Sequence, residues 1–237
     1  DTLLGELNQY RANENYRITE ALEIEYTYDS NRIEGNTLTL HETDMVVNKG
    51  ITIAGKGLRE HLEAINHKEA IDFIKDIAQK KEPISERVLL DIHAIVLHSI
   101  DKDNAGKYRR VPVIISGSKH IPPQPYLLQP QMDELFQWYE ANKDSMHPVV
   151  LAAQMHEKLG SVHPFIDGNG RTARLLMNLI LMQHGYPIAN IKGDNETRRR
   201  YYETLEEASS GDNSAFVEFI EDVVIQSLTY YLKIIRG

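Results

Sequence analysis

Along most of the chain, apolar residues recur three or four positions apart, the mark of helices that bury one face. From Leu58 to Gln79, Leu62, Ile65, the Ala70-Ile71 pair, Ile74 and Ile77 keep this rhythm until Pro83 interrupts it. Between Thr19 and Glu34, Leu22, Ile24, Tyr26, Tyr28 and Ile33 stand among acidic residues, and Gly35-Asn36 supplies a helix stop. Ser85-Glu86 reads as an N-cap with an acidic first turn, opening a helix that runs through His98. Further helices are expected over 132–141, 148–162, 170–183, 197–209 and 214–235.

One segment departs from this rhythm. Between Gly106 and Tyr126, Val111, Val113, Ile114 and Ile115 favour extended backbone, Ser116-Gly117-Ser118-Lys119 is turn-like, and Pro122, Pro123 and Pro125 forbid a helix. The pattern predicts a small β-hairpin flap on an otherwise α-rich fold. No internal repeat, low-complexity tract or Gly/Ser linker divides the chain, so a single domain over residues 1–237 is expected.

Composition narrows the function. The 237 residues are 41% hydrophobic and 26% charged, as in ordinary globular proteins. The formal charge of −9 argues against nucleic acid as a partner, because broad phosphate-backbone binding relies on many Lys and Arg contacts. Zero cysteines remove disulfides, thiolate metal sites and cysteine nucleophiles. No apolar run approaches the ~20 residues of a membrane span. Asp1-Thr2-Leu3-Leu4 has neither a basic nor a long apolar signal region, and the missing initiator Met suggests trimming. Cytoplasmic placement is the resulting expectation.

The densest chemistry lies in His163-Pro164-Phe165-Ile166-Asp167-Gly168-Asn169-Gly170-Arg171-Thr172-Ala173-Arg174, a short loop between two apolar helices. Gly168 and Gly170 permit close backbone approach, so successive amides can converge as an anion nest at the following helix N-terminus. Arg171 and Arg174, three apart near that end, suit an anion held between them. Asp167, one residue before the nest, is placed as a carboxylate that would hold Mg²⁺ beside phosphates. His163 is left as the base. The plainer alternative is a tight interhelical turn, with each side chain satisfied locally; the number of such residues within twelve positions weighs against it. Phe165 reads as a core anchor.

The segment HPFIDGNGRTAR resembles the Fic family signature HxFx(D/E)GNGRxxR and matches every specified position. Gly106-Lys107-Tyr108-Arg109-Arg110 and the hairpin after it resemble the family's flap, so the resemblance extends over nearly the whole chain, with a core at about 86–226 and a flap at about 106–126. It implies a mainly α Fic-type helical bundle and transfer of AMP from ATP to a Ser, Thr or Tyr hydroxyl of a target protein or of the protein itself. By carry-over, His163 deprotonates the hydroxyl, Asp167 holds Mg²⁺, Gly168, Asn169 and Gly170 bind the α- and β-phosphates, and Arg171 and Arg174 hold the outer ones. An adenine-contacting tyrosine is matched best by Tyr202. Some relatives carry an Asn seven residues later, where this chain has Ser209, which leaves the choice of purine open. The flap would dock the target segment by strand addition, bringing its hydroxyl to His163.

Ser30-Asn31-Arg32-Ile33-Glu34-Gly35-Asn36 resembles the family's inhibitory motif (S/T)xxxE(G/N), within an inhibitory helix at about 19–36. A carboxylate at a helix C-terminus opposes the helix dipole and benefits from an outside cation. In the family that cation is the second motif arginine, here Arg174, so Glu34 would block productive ATP binding; the plainer alternative is an exposed surface glutamate. Control would then be built in, with no separate antitoxin, while a homo-oligomer is left open. Three alternatives stay open for function: transfer of another nucleotide, removal of AMP from modified protein, and a noncatalytic ATP-sensing interaction module.

Several other motifs carry less. Gly50-Ile51-Thr52-Ile53-Ala54-Gly55-Lys56-Gly57 nearly reads as a P-loop but lacks the Ser/Thr for Mg²⁺. Gly168 to Ala173 fits GxGxxA, yet follows a helical pattern rather than a strand. Arg198-Arg199-Arg200-Tyr201-Tyr202 is diluted by Asp194, Glu196, Glu203, Glu206 and Glu207 and reads as a solvated face. The ten histidines show no HExxH, so zinc is not expected.

Overall fold

Helix α8 (Asn169–Gln183) is enclosed on all sides: every residue from Arg171 to Leu181 is buried. A helix this apolar around its circumference has to sit inside a bundle. The computed structural model describes residues 1–236, and there α8 is walled by α7 (Pro148–Val162), α4 (Leu58–Lys80) and α5 (Glu86–Val96), and touched at its start by α2 (Tyr16–Ile33). Helices α9 (Asn195–Ser209) and α10 (Ser214–Arg236) close over α7, α6 (Leu128–Asn142) backs α7, and α1 (Thr2–Tyr10) lies on α10. Buried Asn178 of α8 exchanges two hydrogen bonds with Ala189, at 2.8 and 3.1 Å, drawing the α8–α9 connection onto the core.

The expected helices are all present, most with ends within a few residues of the pattern, and Ser85 caps α5 by accepting the amide of Val88. Helix α3 (Leu40–Lys49) is an element the apolar periodicity did not reveal. It is closed instead by a capping box, Thr39 with Glu42, and by left-handed Gly50. It packs on a small separate cluster of Leu38, Val46 and Ala64.

The expected β-hairpin is not formed: no strand occurs among the described residues, and 106–126 is an irregular loop. Its limbs are joined through the Arg109 side chain instead of a backbone ladder, and its turn is held by α9 and α7. Buried Arg109 donates to the carbonyls of His163 (2.9 Å), Val111 (3.1 Å) and Pro123 (2.6 Å), and its own amide donates to Pro164 O at 2.9 Å. Farther along, the Lys119 amide and Ser118 hydroxyl bond to Glu206, and His120 Nε2 lies 2.7 Å from Ser161 O. The one backbone bond within 111–121, Ser118 N to Ile115 O, only closes the turn. Val111, Ile114 and Ile121, β-formers by composition, point into solvent at 52%, 88% and 78% exposure, so no apolar face rewards strand pairing.

Arg109→Met is expected to lower the local opening free energy of this loop by about 1–3 kcal/mol, because one side chain satisfies three carbonyls. Trypsin should then cut faster after Arg110 and Lys119 while the melting temperature stays close to that of the parent; unchanged cleavage would remove Arg109 as the anchor.

Candidate functional site

Helix α7 ends at His163, whose backbone is left-handed at φ 48°, a conformation rare outside glycine. It persists because both backbone groups are held: the amide donates to Leu159 O at 3.0 Å and the carbonyl accepts from Arg109 Nε. Burial lowers the imidazole pKa below its usual value, Arg109 and His120 act in the same direction, and the Gly160 carbonyl and Glu34 oppose them. The ring is therefore neutral near pH 7.

The loop after it is shaped from within. The Asn169 amide group accepts from Phe165 N at 3.0 Å and donates to Phe165 O at 2.9 Å, folding 165–169 into a tight ring. Phe165 is fully buried and stacks on His93 at 3.6 Å between centroids. Gly168, at φ 79°, turns the chain into α8. The amides of Asn169, Gly170 and Arg171 open that helix without intrahelical partners, which makes its end receptive to an anion. Asn169 can contribute its backbone amide there, since its side chain serves Phe165.

The two motif arginines diverge. Arg171 is buried toward α4, 3.3 Å from Asp167 Oδ1 and 3.5 Å from Glu63 Oε1, yet its Nε and Nη1 have no hydrogen-bond partner. Nη1 is only loosely ion-paired with Glu63 and Nε is unpartnered, so the guanidinium keeps donor capacity that suits an anion. Burial pushes the Asp167 carboxyl up, but Arg171, the Gly168 amide at 2.6 Å and Arg59 outweigh it and keep it ionised. This half-exposed anionic oxygen fits Mg²⁺, which accepts one carboxylate and fills its shell with water and phosphate oxygens. Arg59 of α4, bridged also to Glu63, holds Asp167 Oδ2 in the present arrangement.

Arg174 points the other way, into the junction of α2, α8 and α9, with 1% of its surface exposed. It donates to Ser30 Oγ (3.0 Å), Ser30 O (2.9 Å), Glu34 Oε1 (2.7 Å) and Tyr201 OH (3.3 Å). Burial works against its charge, but Tyr201 and Glu34 prevail and raise its pKa above the ordinary arginine value. Tyr201 OH also lies 2.9 Å from His156 Nε2; burial pushes His156 down to about 3, so the imidazole is neutral and, with Arg174 donating to the phenol oxygen, accepts a hydrogen bond from the hydroxyl.

Glu34 caps the C-terminus of α2, and its carboxylate stands over the nest: a Cβ at Gly170 would collide with Glu34 Oε1 and lie 3.1 Å from Arg174 Nη1. The end of α2 is fixed by buried Asp29, which accepts from Gly193 N (2.9 Å) and Asn190 (2.7 Å), and by Asn31, which reaches Glu63 O at 3.3 Å. Tyr202 lies at the rim, 42% exposed, with its hydroxyl 3.4 Å from Ile33 O. Arg199 and Arg200 pair with Glu203 and Asp222 away from the site.

His163, Asp167, Gly168, Asn169, Gly170, Arg171, Arg174, Ser30, Glu34 and Tyr202 are thus gathered around one helix end. Sequence reasoning missed Arg59, His93, Arg109, His156 and Tyr201, of which Arg109 and Tyr201 stood beside motifs already singled out. Tyr201→Phe, which leaves both Arg174 and His156 short of a partner, is expected to cost about 1–3 kcal/mol in urea unfolding; a loss below that range would show the network is not coupled through the phenol.

Comparison with known proteins gives concordant results. Residues 83–181 match the Fic/DOC family. The chain is 39% identical over 210 residues to a protein adenylyltransferase Fic of Nematostella vectensis, covering 88% of this chain and 48% of that one. A Culex quinquefasciatus protein of the same name is 40% identical over 211 residues, with 88% and 41% covered. The chain therefore spans just under half the length of these curated relatives. Among solved structures, a Fic domain containing signaling protein from Bacteroides thetaiotaomicron superposes with a TM-score of 0.86 at 28% identity, covering 99% of this chain and 97% of that one. Fic-1 (residues 134–508) from C. elegans gives 0.85 at 31% identity, with 99% and 72% covered.

Proposed function

The chain belongs to the Fic/DOC family, and from that premise we propose that it is a protein adenylyltransferase, moving AMP from ATP onto a Ser, Thr or Tyr hydroxyl of a target protein or of itself. The observation that carries this reading is a neutral imidazole on a left-handed backbone held by Leu159 and Arg109, one short loop before the open amide end of α8.

His163 accepts the hydroxyl proton while that oxygen attacks the α-phosphorus. The α–β bridging oxygen then departs with pyrophosphate. The amides of Asn169, Gly170 and Arg171, with the Arg171 guanidinium, orient the phosphates and take up the charge that builds during displacement. Asp167 would hold a Mg²⁺ ion, which supplies neutralisation of that charge. Tyr202, half-exposed beside the end of α2, would stack or bond with the base. The irregular 106–126 loop offers its target unpaired backbone groups and three solvent-facing aliphatic side chains near His163.

Glu34 restrains this chemistry from within the chain. Its carboxylate occupies the ground above Gly170 and engages Arg174, the cation that would hold the outer phosphates. No separate inhibitory protein is required.

Incubating parent, Glu34→Gly and Glu34→Gly/His163→Ala with α-labelled ATP and cell extract tests both claims. Freeing Arg174 is expected to raise labelling by about 5–150-fold, the range of a 1–3 kcal/mol coupling, and the second substitution should abolish it. Equal labelling in parent and Glu34→Gly would end the inhibitory role, and labelling that persists without His163 would end its role as base.

The pH profile of Glu34→Gly follows from the imidazole. A base whose pKa lies below its usual value stays unprotonated down to a lower pH, so activity should be flat from pH 8 to pH 7 and fall on acidification, with its midpoint below about 6.5. A midpoint above that value contradicts a depressed His163.

A further inference from the structure

We propose that His93, a buried histidine of α5 assigned no role in the transfer chemistry, is a positioning residue that couples the root of the 106–126 loop to the phosphate-binding loop through a single imidazole tautomer. The assignment rests on donor and acceptor logic. Gly106 N–H can only donate, and it points at His93 Nδ1 at 3.0 Å. Nδ1 must therefore be unprotonated, which places the ring proton on Nε2, 2.9 Å from the carbonyl oxygen of Asp167.

The same ring lies parallel to Phe165, with 8° between planes. Gly168 also lies against it, where an added Cβ would come within 3.5 Å of the imidazole. Three residues of the phosphate loop thus rest on one side chain. On its other nitrogen sits Gly106, which is pressed to α5 so closely that a Cβ would fall 3.0 Å from Ala94 Cβ and 3.1 Å from Leu90 O. The loop that begins there carries Arg109, which holds the His163 carbonyl. A target segment pulling on that loop is consequently felt at Asp167 through His93, and a nucleotide seated in the phosphate loop is felt at Gly106.

The catalytic readout rests on the adenylyltransferase reading, whereas the structural readout does not. In the Glu34→Gly background, His93→Phe keeps the ring stack and removes both hydrogen bonds, His93→Gln retains a donor at the Nε2 position, and His93→Asn retains an acceptor at the Nδ1 position. Hydrogen exchange of peptides spanning 105–110 and 165–172 is measured alongside KM for ATP and kcat. His93→Phe should open both peptides and raise KM by roughly 10-fold or more, as loss of a supporting hydrogen bond does at other sites. His93→Gln should keep 165–172 protected with near-parental KM but expose 105–110 and lower kcat, and His93→Asn should do the reverse. Parental exchange and KM in His93→Phe, or identical behaviour of Gln and Asn, would overturn the proposal. If His93→Phe does not fold, the Gln and Asn pair decides. If Glu34→Gly itself labels no protein, the adenylyltransferase reading fails while the exchange pattern still judges His93.

Discussion

A guanidinium with 1% of its surface exposed at the junction of three helices is the constraint around which the rest is arranged. An unpaired charge at such a depth is costly enough that the surrounding sequence has to answer it. Ser30, Glu34, Tyr201 and, behind the phenol, His156 provide that answer. All four lie on helices other than α8, so satisfying one side chain also fixes how α2, α7 and α9 meet α8. The segment from His163 to Arg174 and the end of α2 are in this sense one packing problem rather than two.

The first motif arginine solves a different one. Arg171 is just as buried but is matched by two carboxylates at 3.3 and 3.5 Å, with its Nε left unbonded. Arg59, Glu63, Asp167 and Arg171 make a cluster of two positive and two negative charges, so the entrance to the nest carries little net charge before a ligand arrives. An anionic ligand would change that balance, and Arg59, the most exposed of the four on a flexible side chain, is the member free to adjust.

Much of this was legible in the order of residues. The apolar rhythm located α4, α7, α8 and α10, because those helices bury wide faces, and the twelve residues from His163 placed the chemistry at a loop leading into a helix. Glu34 was singled out by its motif, and the structure sets its carboxylate over Gly170 and on Arg174. Helix α3 was not, since it rests on only a few apolar residues and is defined by its caps. The 106–126 segment was misread because β-branched residues report a preference for extended backbone, not the presence of a partner strand, and here the Arg109 side chain joins the two limbs and Glu206 holds the turn, leaving no backbone ladder between them. His93, Tyr201 and Arg59 were out of reach for another reason: each acts on a residue 27 to 108 positions away, and only the packed bundle brings them together.

The anchoring of α2 has a further consequence. With Asp29, Ser30 and Asn31 all buried and bonded, the helix that carries Glu34 cannot drift off the bundle without breaking the interior. Because the carboxylate and its cation belong to one polypeptide, their encounter is unimolecular and independent of dilution. Turning Glu34 away would leave the deeply buried Arg174 without its carboxylate, so whatever separates the two has to bring a replacement anion to the same spot.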